Sequence, residues 1–433
     1  MWRPSSSAPS PARRADEVKA GAGTDREDDH DVLVGFIDGL ARLPLSTSGE
    51  GAEQVERSVT SAARGLGGTA SVAVLPDAAT VTVSSHGRST AIVVRAFPEV
   101  FRMDRVVVLK PLLDEVAAGR LDARKAGARL TAITRAAPPY PWWAKLLGVV
   151  LFSVGFAPLM QPTWYEVGST AVLASVAACL AVAADRMPGL AKVLPLVAAV
   201  AVSLLALELF ARSPAHGGPV LLMLPALFFF VPGDYLSAAA AELAAGYLTT
   251  GAVRLVYAVA LLVQLYVGVM LGLVVTGRPR QDLFDVAAGP DLPRWALFAN
   301  WIVFTVGALL AFAVPARLLG VLLVLVYLTV GVQTGFTRLL GDLGGTFAAA
   351  VALGAVTTWL ARRPGGPPRL VLVLPGFFTL TVGSLGMRGL TAVAGGYAIE
   401  GFRDLTELVT LVTAIGTGLL LGAVLARRPG DTS

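Results

Sequence analysis

Leu224-Pro225-Ala226-Leu227-Phe228-Phe229-Phe230-Val231-Pro232-Gly233-Asp234 returns 150 residues later as Leu374-Pro375-Gly376-Phe377-Phe378-Thr379-Leu380-Thr381-Val382-Gly383-Ser384. The register continues downstream without a gap. Gly246-Tyr247 matches Gly396-Tyr397, Gly251 matches Gly401, and Gly268-x3-Gly272 matches Gly418-x3-Gly422. Both copies sit in apolar sequence long enough to span a bilayer. Proline removes a backbone donor and clashes with the carbonyl four residues earlier. In hydrocarbon, that carbonyl needs protein, water or a solute to satisfy it. Read singly, Pro232 or Pro375 is equally a kink that shapes a bundle. Broken helices at matching places in two halves point instead to a transport site.

Composition sets the environment. The 433 residues are 55% hydrophobic and only 15% charged, with a mean hydropathy of +0.68. A water-soluble fold of this size has no place to bury so much apolar surface, so lipid acts as solvent for part of it. The net charge of +5 suits a positive-inside bias on loops. No Lys/Arg cluster with interleaved aromatics suggests nucleic acid. The one cysteine, Cys179, lies in an apolar run, which rules out a disulfide within the chain.

The polar residues concentrate at the N-terminal end. Residues 1–30 read as a disordered tail without a signal peptide, and 31–140 as a small soluble α+β domain on the cytoplasmic side. Within it, Asp31–Leu43, Glu50–Leu66, Pro111–Ala118 and Asp122–Arg135 read as helices. Ala70–Leu75, Thr80–Ser84 and Thr90–Ala96 read as short strands of a meander, divided by Pro76-Asp77 and His86-Gly87. Pro138-Pro139-Tyr140-Pro141 is a stiff spacer, and Trp142-Trp143 an interfacial anchor.

Ten apolar spans follow, at about 142–160, 166–184, 189–211, 219–240, 252–276, 294–313, 316–336, 343–361, 369–390 and 405–426. The matched segments fall in the fourth and ninth. The expected fold is therefore an all-α polytopic membrane protein of ten transmembrane helices in a 5+5 inverted repeat. Its halves are 141–276 and 277–433, because an odd number of helices per unit reverses the second half. Basic residues place both termini in the cytoplasm. Arg362-Arg363 and Arg427-Arg428 mark inside loops, and ten basic residues fall inside against seven outside.

Candidate site residues cluster at the breaks: Pro232, Gly233 and Asp234 in the first half, and Pro375, Gly376, Gly383, Ser384 and Arg388 in the second. A carboxylate at membrane depth holds a proton or an ammonium group. Asp234, Glu242 and Glu208 are the proton-coupling candidates. Glu208, Glu242, Arg388 and Glu407 also suit a solvated place at the interface. Gln264, Asn300 and Gln333 serve equally as bonds between helices. Glu50, Glu53 and Glu56 read as a solvated helix face. No lysine follows a glycine in a Walker loop, no G-x-S-x-G elbow occurs, and His30, His86 and His216 lack partners at metal spacing. An enzyme, a metal and a cofactor are not expected.

These residues carry a family resemblance. The stretch Gly49–Gly67, the Ala118-Gly119-Arg120-Leu121 turn, Ala126-x3-Leu130 and Pro138-Pro139-Tyr140-Pro141 are similar to the threonine/serine exporter family. So are Phe230-Val231-Pro232-Gly233 with Gly251-Ala252-Val253-Arg254-Leu255, and Leu374-Pro375-Gly376 through Arg388-Gly389-Leu390. The resemblance spans about 32–426. It implies a secondary transporter of the plasma (cell inner) membrane, exporting small hydroxy amino acids by proton antiport. Its partners would be the amino acid, protons and the lipid bilayer, and a homo-oligomer is compatible. The alternatives are an exporter of dicarboxylates such as succinate, which Arg254 and Arg388 would suit, and a passive channel.

Overall fold

The computed structural model describes residues 29–43, 51–74, 78–95, 102–160, 163–210, 218–279, 292–380, 385–386, 389–390, 392 and 397–426. The chain divides into two compact units.

The first unit is a three-stranded antiparallel sheet covered by helices. Helix α1 spans 29–43 and α2 spans Ala52–Gly65. Strands β1 (Thr69–Val74), β2 (Ala78–Ser85) and β3 (Arg88–Arg95) form a meander in the order β1-β2-β3. Helix α3 (Met103–Ala117), of which residues 103–107 belong to the second unit, and α4 (Ala123–Arg135) complete it. Alternation in β2 sends Val81 and Val83 inward against Leu33, Phe36, Ile37, Val55 and Val59. The hairpin between β2 and β3 closes on His86 and Gly87, both at positive φ (50° and 79°). That pair of left-handed residues matches the twist of the flanking strands. Buried His30 is satisfied by Ser85 at 2.6 Å and Thr90 at 2.8 Å.

One helix begins earlier than its sequence implies. Pro111 reads as a first-turn residue, yet α3 starts at Met103 and carries Pro111 in its interior. The apolar run Val106-Val107-Val108 before the proline supplies the preceding turns, at the loss of one backbone hydrogen bond.

The second unit is helical. Its elements are α5 (Trp142–Phe156), α6 (Trp164–Ala184), α7 (Pro188–Leu205), α8 (Pro219–Leu227), α9 (Gly233–Ala244) and α10 (Leu248–Thr276). They continue as α11 (Arg294–Ala311), α12 (Leu319–Arg362), α13 (Arg369–Phe378) and α14 (Ala398–Leu425). Among the described residues, six helices are long and apolar enough to cross a membrane, and seven if the bent pair around Pro232 is one span. Ten spans are read from the sequence. Trp295–Ala311 is apolar but short, and the expected ninth span, 369–390, extends beyond Arg369–Phe378 into residues outside the described ones. The 44 residues of α12 would run about 66 Å if straight, twice the hydrocarbon thickness.

They are not straight. Gly341 has φ 72° and ψ 180°, outside helical geometry. Gln333 donates to Thr346 Oγ1 at 3.2 Å, although thirteen residues of straight helix would separate them by about 20 Å. The chain therefore folds back at Gly341 into two arms. Glycine fits, because a side chain is strained at that φ.

Glycines set the packing of this unit. A Cβ on Gly155 would collide with the backbone of Phe304, and one on Gly307 with the backbone of Phe152. The α5–α11 contact is thus reciprocal, and Asn300 reinforces it by donating to the Gly155 carbonyl at 3.0 Å. Gly268 of α10 lies against Ala199 and Val200 of α7, and Gly418 of α14 against Ala350 and Val351 of α12. Such close backbone approach is how helices associate where lipid removes the hydrophobic drive.

Candidate functional site

The break begins inside the first Leu-Pro segment. Helix α8 carries Pro225 in its interior, tightens into a 3₁₀ turn over Phe228–Phe230, and ends at Val231. Pro232 has φ −80° and ψ 47°, which is not helical, and α9 starts at Gly233. The two helical pieces meet at 63°. Two backbone groups are recovered locally: Gly233 donates to the Val231 carbonyl at 2.8 Å, and Leu236 to the Pro232 carbonyl at 3.1 Å. Asp234 lies in the first turn of α9, where the helix dipole favours an anion. Its side chain is half-buried.

A phenylalanine cluster holds the break in place. Phe228 stacks on Phe156 of α5 at 3.7 Å between ring centroids. It meets Phe378 of the second Leu-Pro segment edge-on at 5.8 Å. Phe152 touches both, at 5.4 Å and 5.3 Å, and also Phe304 at 4.7 Å. Phe228 and Phe378 hold the same place in the two matched segments, so the copies converge in space. Each aromatic pair contributes about 0.5–1.5 kcal/mol beyond burial, enough to fix where both segments sit.

The far end of α9 carries a buried ion pair. Arg254 Nε of α10 lies 3.2 Å from Glu242 Oε2, with 11% and 6% of the side chains exposed. The Ala52 amide, assigned with this unit, donates to Glu242 Oε1 at 3.1 Å. Oε1 is thus hydrogen-bonded, while Oε2 faces Arg254 in the ion pair without a hydrogen-bond partner among the described residues. Such a pair gains little over apolar packing, but losing one partner strands a charge. Between Asp234 and Glu242, Ser237 is 4% exposed. Its hydroxyl has no hydrogen-bond partner among the described residues, nor does the buried Oε1 of Gln264 on α10. Helix α9 lies between α10 and α14. Gly251 sits under Leu243, and Gly416 against Ala240 and Ala241.

The structure therefore gathers Pro232, Gly233 and Asp234 at one break. Glu242 is held in an ion pair two turns away. Glu208 sits apart, exposed in a wide π turn over Ala206–Phe210 at the end of α7. Pro375 is buried inside α13. Gly376 packs between the two arms of α12, against Leu353 and Thr329, a structural role. Gly383, Ser384 and Arg388 lie outside the described residues. Sequence reasoning missed Ser237 and the Glu242–Arg254 pairing. Ser237 was within reach, three residues after Asp234 and so near it on the helix surface.

A broken helix, glycine-tight packing and apolar exterior faces define a multi-pass helical membrane protein. The chain belongs to the threonine/serine exporter family ThrE, described as "Putative threonine/serine exporter", whose model matches residues 42–276. A Mycobacterium tuberculosis (strain ATCC 25618 / H37Rv) protein named "Probable threonine/serine exporter" is 25% identical over 338 residues. The match covers 74% of this chain and 62% of that protein, so the chain spans about three fifths of its relative's length. No solved structure matches. Family relatives are named as transporters rather than enzymes.

Proposed function

We propose that this chain is a secondary active transporter of the plasma membrane that exports threonine and serine in exchange for protons. It works by alternating access of two inverted five-helix halves. The observation that carries the reading is the break at Val231–Pro232, joined through Phe228 and Phe378 to the matched segment of the other half. Substrate would bind at this junction. The amides at the start of α9 suit a carboxylate, while Asp234 suits an ammonium group or the coupling proton. Ser237 Oγ and Gln264 Oε1, buried without protein partners among the described residues, suit a hydroxyl or bound water.

Other contacts support the inverted halves. The Gly155–Phe304 and Gly307–Phe152 contacts are reciprocal, as a two-fold axis requires. With α12 divided at Gly341, the bent pair taken as one span, and α11 and α13 counted as spans, the helices number ten, as a 5+5 plan needs. Helix ends assigned to one side also meet. Tyr140 donates to the Val314 carbonyl at 2.9 Å and Lys145 pairs with Asp185 at 2.6 Å, all on the proposed inner side. Trp164 and Trp295 lie 5.9 Å apart on the proposed outer side. Arg254 is committed to Glu242, which weakens its case as a dicarboxylate receptor.

Uptake of labelled threonine into proteoliposomes under an imposed pH gradient tests the reading. Uptake that follows the gradient and saturates supports it. Ion currents indifferent to the gradient would replace it with a channel.

A further inference from the structure

A second polar site lies away from the broken helix. Near Leu343, where the second arm of α12 begins, a groove of about 400 Å³ opens against the first turns of α14. Its polar lining is Arg403, Thr406, Glu407 and Thr410, with Leu343 and Leu411 as apolar walls. The volume is in the range of small-molecule sites. The four polar residues follow i, i+3, i+4, i+7 spacing, so they share one helix face. Arg403 and Glu407 are one turn apart, about 6 Å along the axis.

Two facts set this face apart from an ordinary solvated surface. Arg403 and Glu407 have the spacing of a helix ion pair, yet neither makes an ion pair or hydrogen bond among the described residues. Arg preceding Glu is also the weaker order for such a pair. Glu407 stands about 14 Å along α14 from Ala398, in a helix long and apolar enough to cross a membrane. Opposite charges without partners among the described residues, one turn apart on one groove, suit a ligand that carries both signs. The threonines add direction. Thr406 donates to the Phe402 carbonyl and Thr410 to the Thr406 carbonyl, both at 2.8 Å. Their protons are spent, so each hydroxyl oxygen offers only lone pairs to the groove.

We propose that this groove is a second binding site for a zwitterionic α-amino acid, with Arg403 taking the carboxylate and Glu407 the ammonium group. The hydroxyls of Thr406 and Thr410 accept from a hydroxyl on the substrate side chain, which favours hydroxy amino acids over aliphatic ones. The assignment rests on the reading that the cargo is an amino acid. It adds a site distinct from the junction at Pro232.

Equilibrium binding of labelled L-threonine to the full chain in nanodiscs tests it. The wild type should bind two equivalents per chain. Arg403→Gln and Glu407→Gln should each bind one, with at least a tenfold loss of affinity for the other. Threoninamide, which keeps the ammonium group and lacks the carboxylate, should compete equally well at the groove of wild type and of Arg403→Gln. Arg403→Lys should retain part of the second equivalent. Unchanged stoichiometry in both glutamine variants would overturn the groove site, as would loss of both equivalents together. In those cases gradient-driven threonine uptake by the wild type would leave the exporter reading standing. Wild-type protein that neither binds nor transports threonine would end both.

Discussion

At the residue scale, charge placement decides what can be tested. Glu242 and Arg254 form a nearly dry ion pair, with one carboxylate oxygen hydrogen-bonded to the Ala52 amide. Glu242→Gln or Arg254→Met alone should destabilise the protein by about 3–5 kcal/mol, because the remaining partner loses its compensation. Replacing both together by Leu and Met should recover most of that loss. Thermal unfolding in detergent reports both outcomes, and a harmless single variant would remove the structural role argued for the pair. Ser237 predicts the opposite pattern. Its hydroxyl has no partner to lose, so Ser237→Ala should leave stability nearly unchanged while raising the KM for threonine. In the first unit, Asp122 caps α4 by accepting from the Lys125 amide at 2.7 Å. That bond holds its carboxyl below the ordinary value of 3.8. A lowered folded-state pKa means the cap contributes fully above 3.8 and fades as pH falls through the lower folded value. Hydrogen exchange over Ala123–Arg135 should quicken in Asp122→Ala and stay near wild type in Asp122→Asn, which caps without a charge.

Elements show how far sequence alone could reach. Pro232-Gly233 announced the break because proline has one geometric consequence in a helix, and the break is where it was read. The ion pair was not legible. Glu242 and Arg254 stand twelve residues apart across a helix turn, and each alone resembled an interfacial side chain. Pro111 misled in the other direction, because burial of Met103, Val106 and Val107 carried α3 past a residue that usually starts a helix. Gly341 gave no distinct signal among many membrane glycines, although the two arms were read as separate spans around it. Gly341→Ala should therefore be costly, by about 1–3 kcal/mol for the positive-φ extended backbone alone. Gly331→Ala, where a Cβ meets nothing within 4 Å, should be tolerated. Comparing the two unfolding temperatures separates a required fold-back from general glycine sensitivity.

For the whole molecule, the account requires that the two halves face opposite ways. Cys179 is the single cysteine, so Cys179→Ser gives a clean background for topology. Single cysteines introduced at Arg186 and Arg363 should react with impermeant reagents only from inside. Those at Thr163 and Gly277 should react only from outside. The same side for Arg186 and Gly277 would break the inverted plan, since the odd helix count fixes them as opposite. The reciprocal glycine contacts between α5 and α11 sit beside the aromatic cluster that joins the two Leu-Pro segments. The most direct measurement is threonine uptake by proteoliposomes under an imposed pH gradient, comparing wild type with Asp234→Asn. The account predicts saturable, gradient-dependent uptake in the wild type and its loss in the variant, with folding retained. Equal gradient-driven uptake by both proteins would contradict the role of Asp234 at the broken helix.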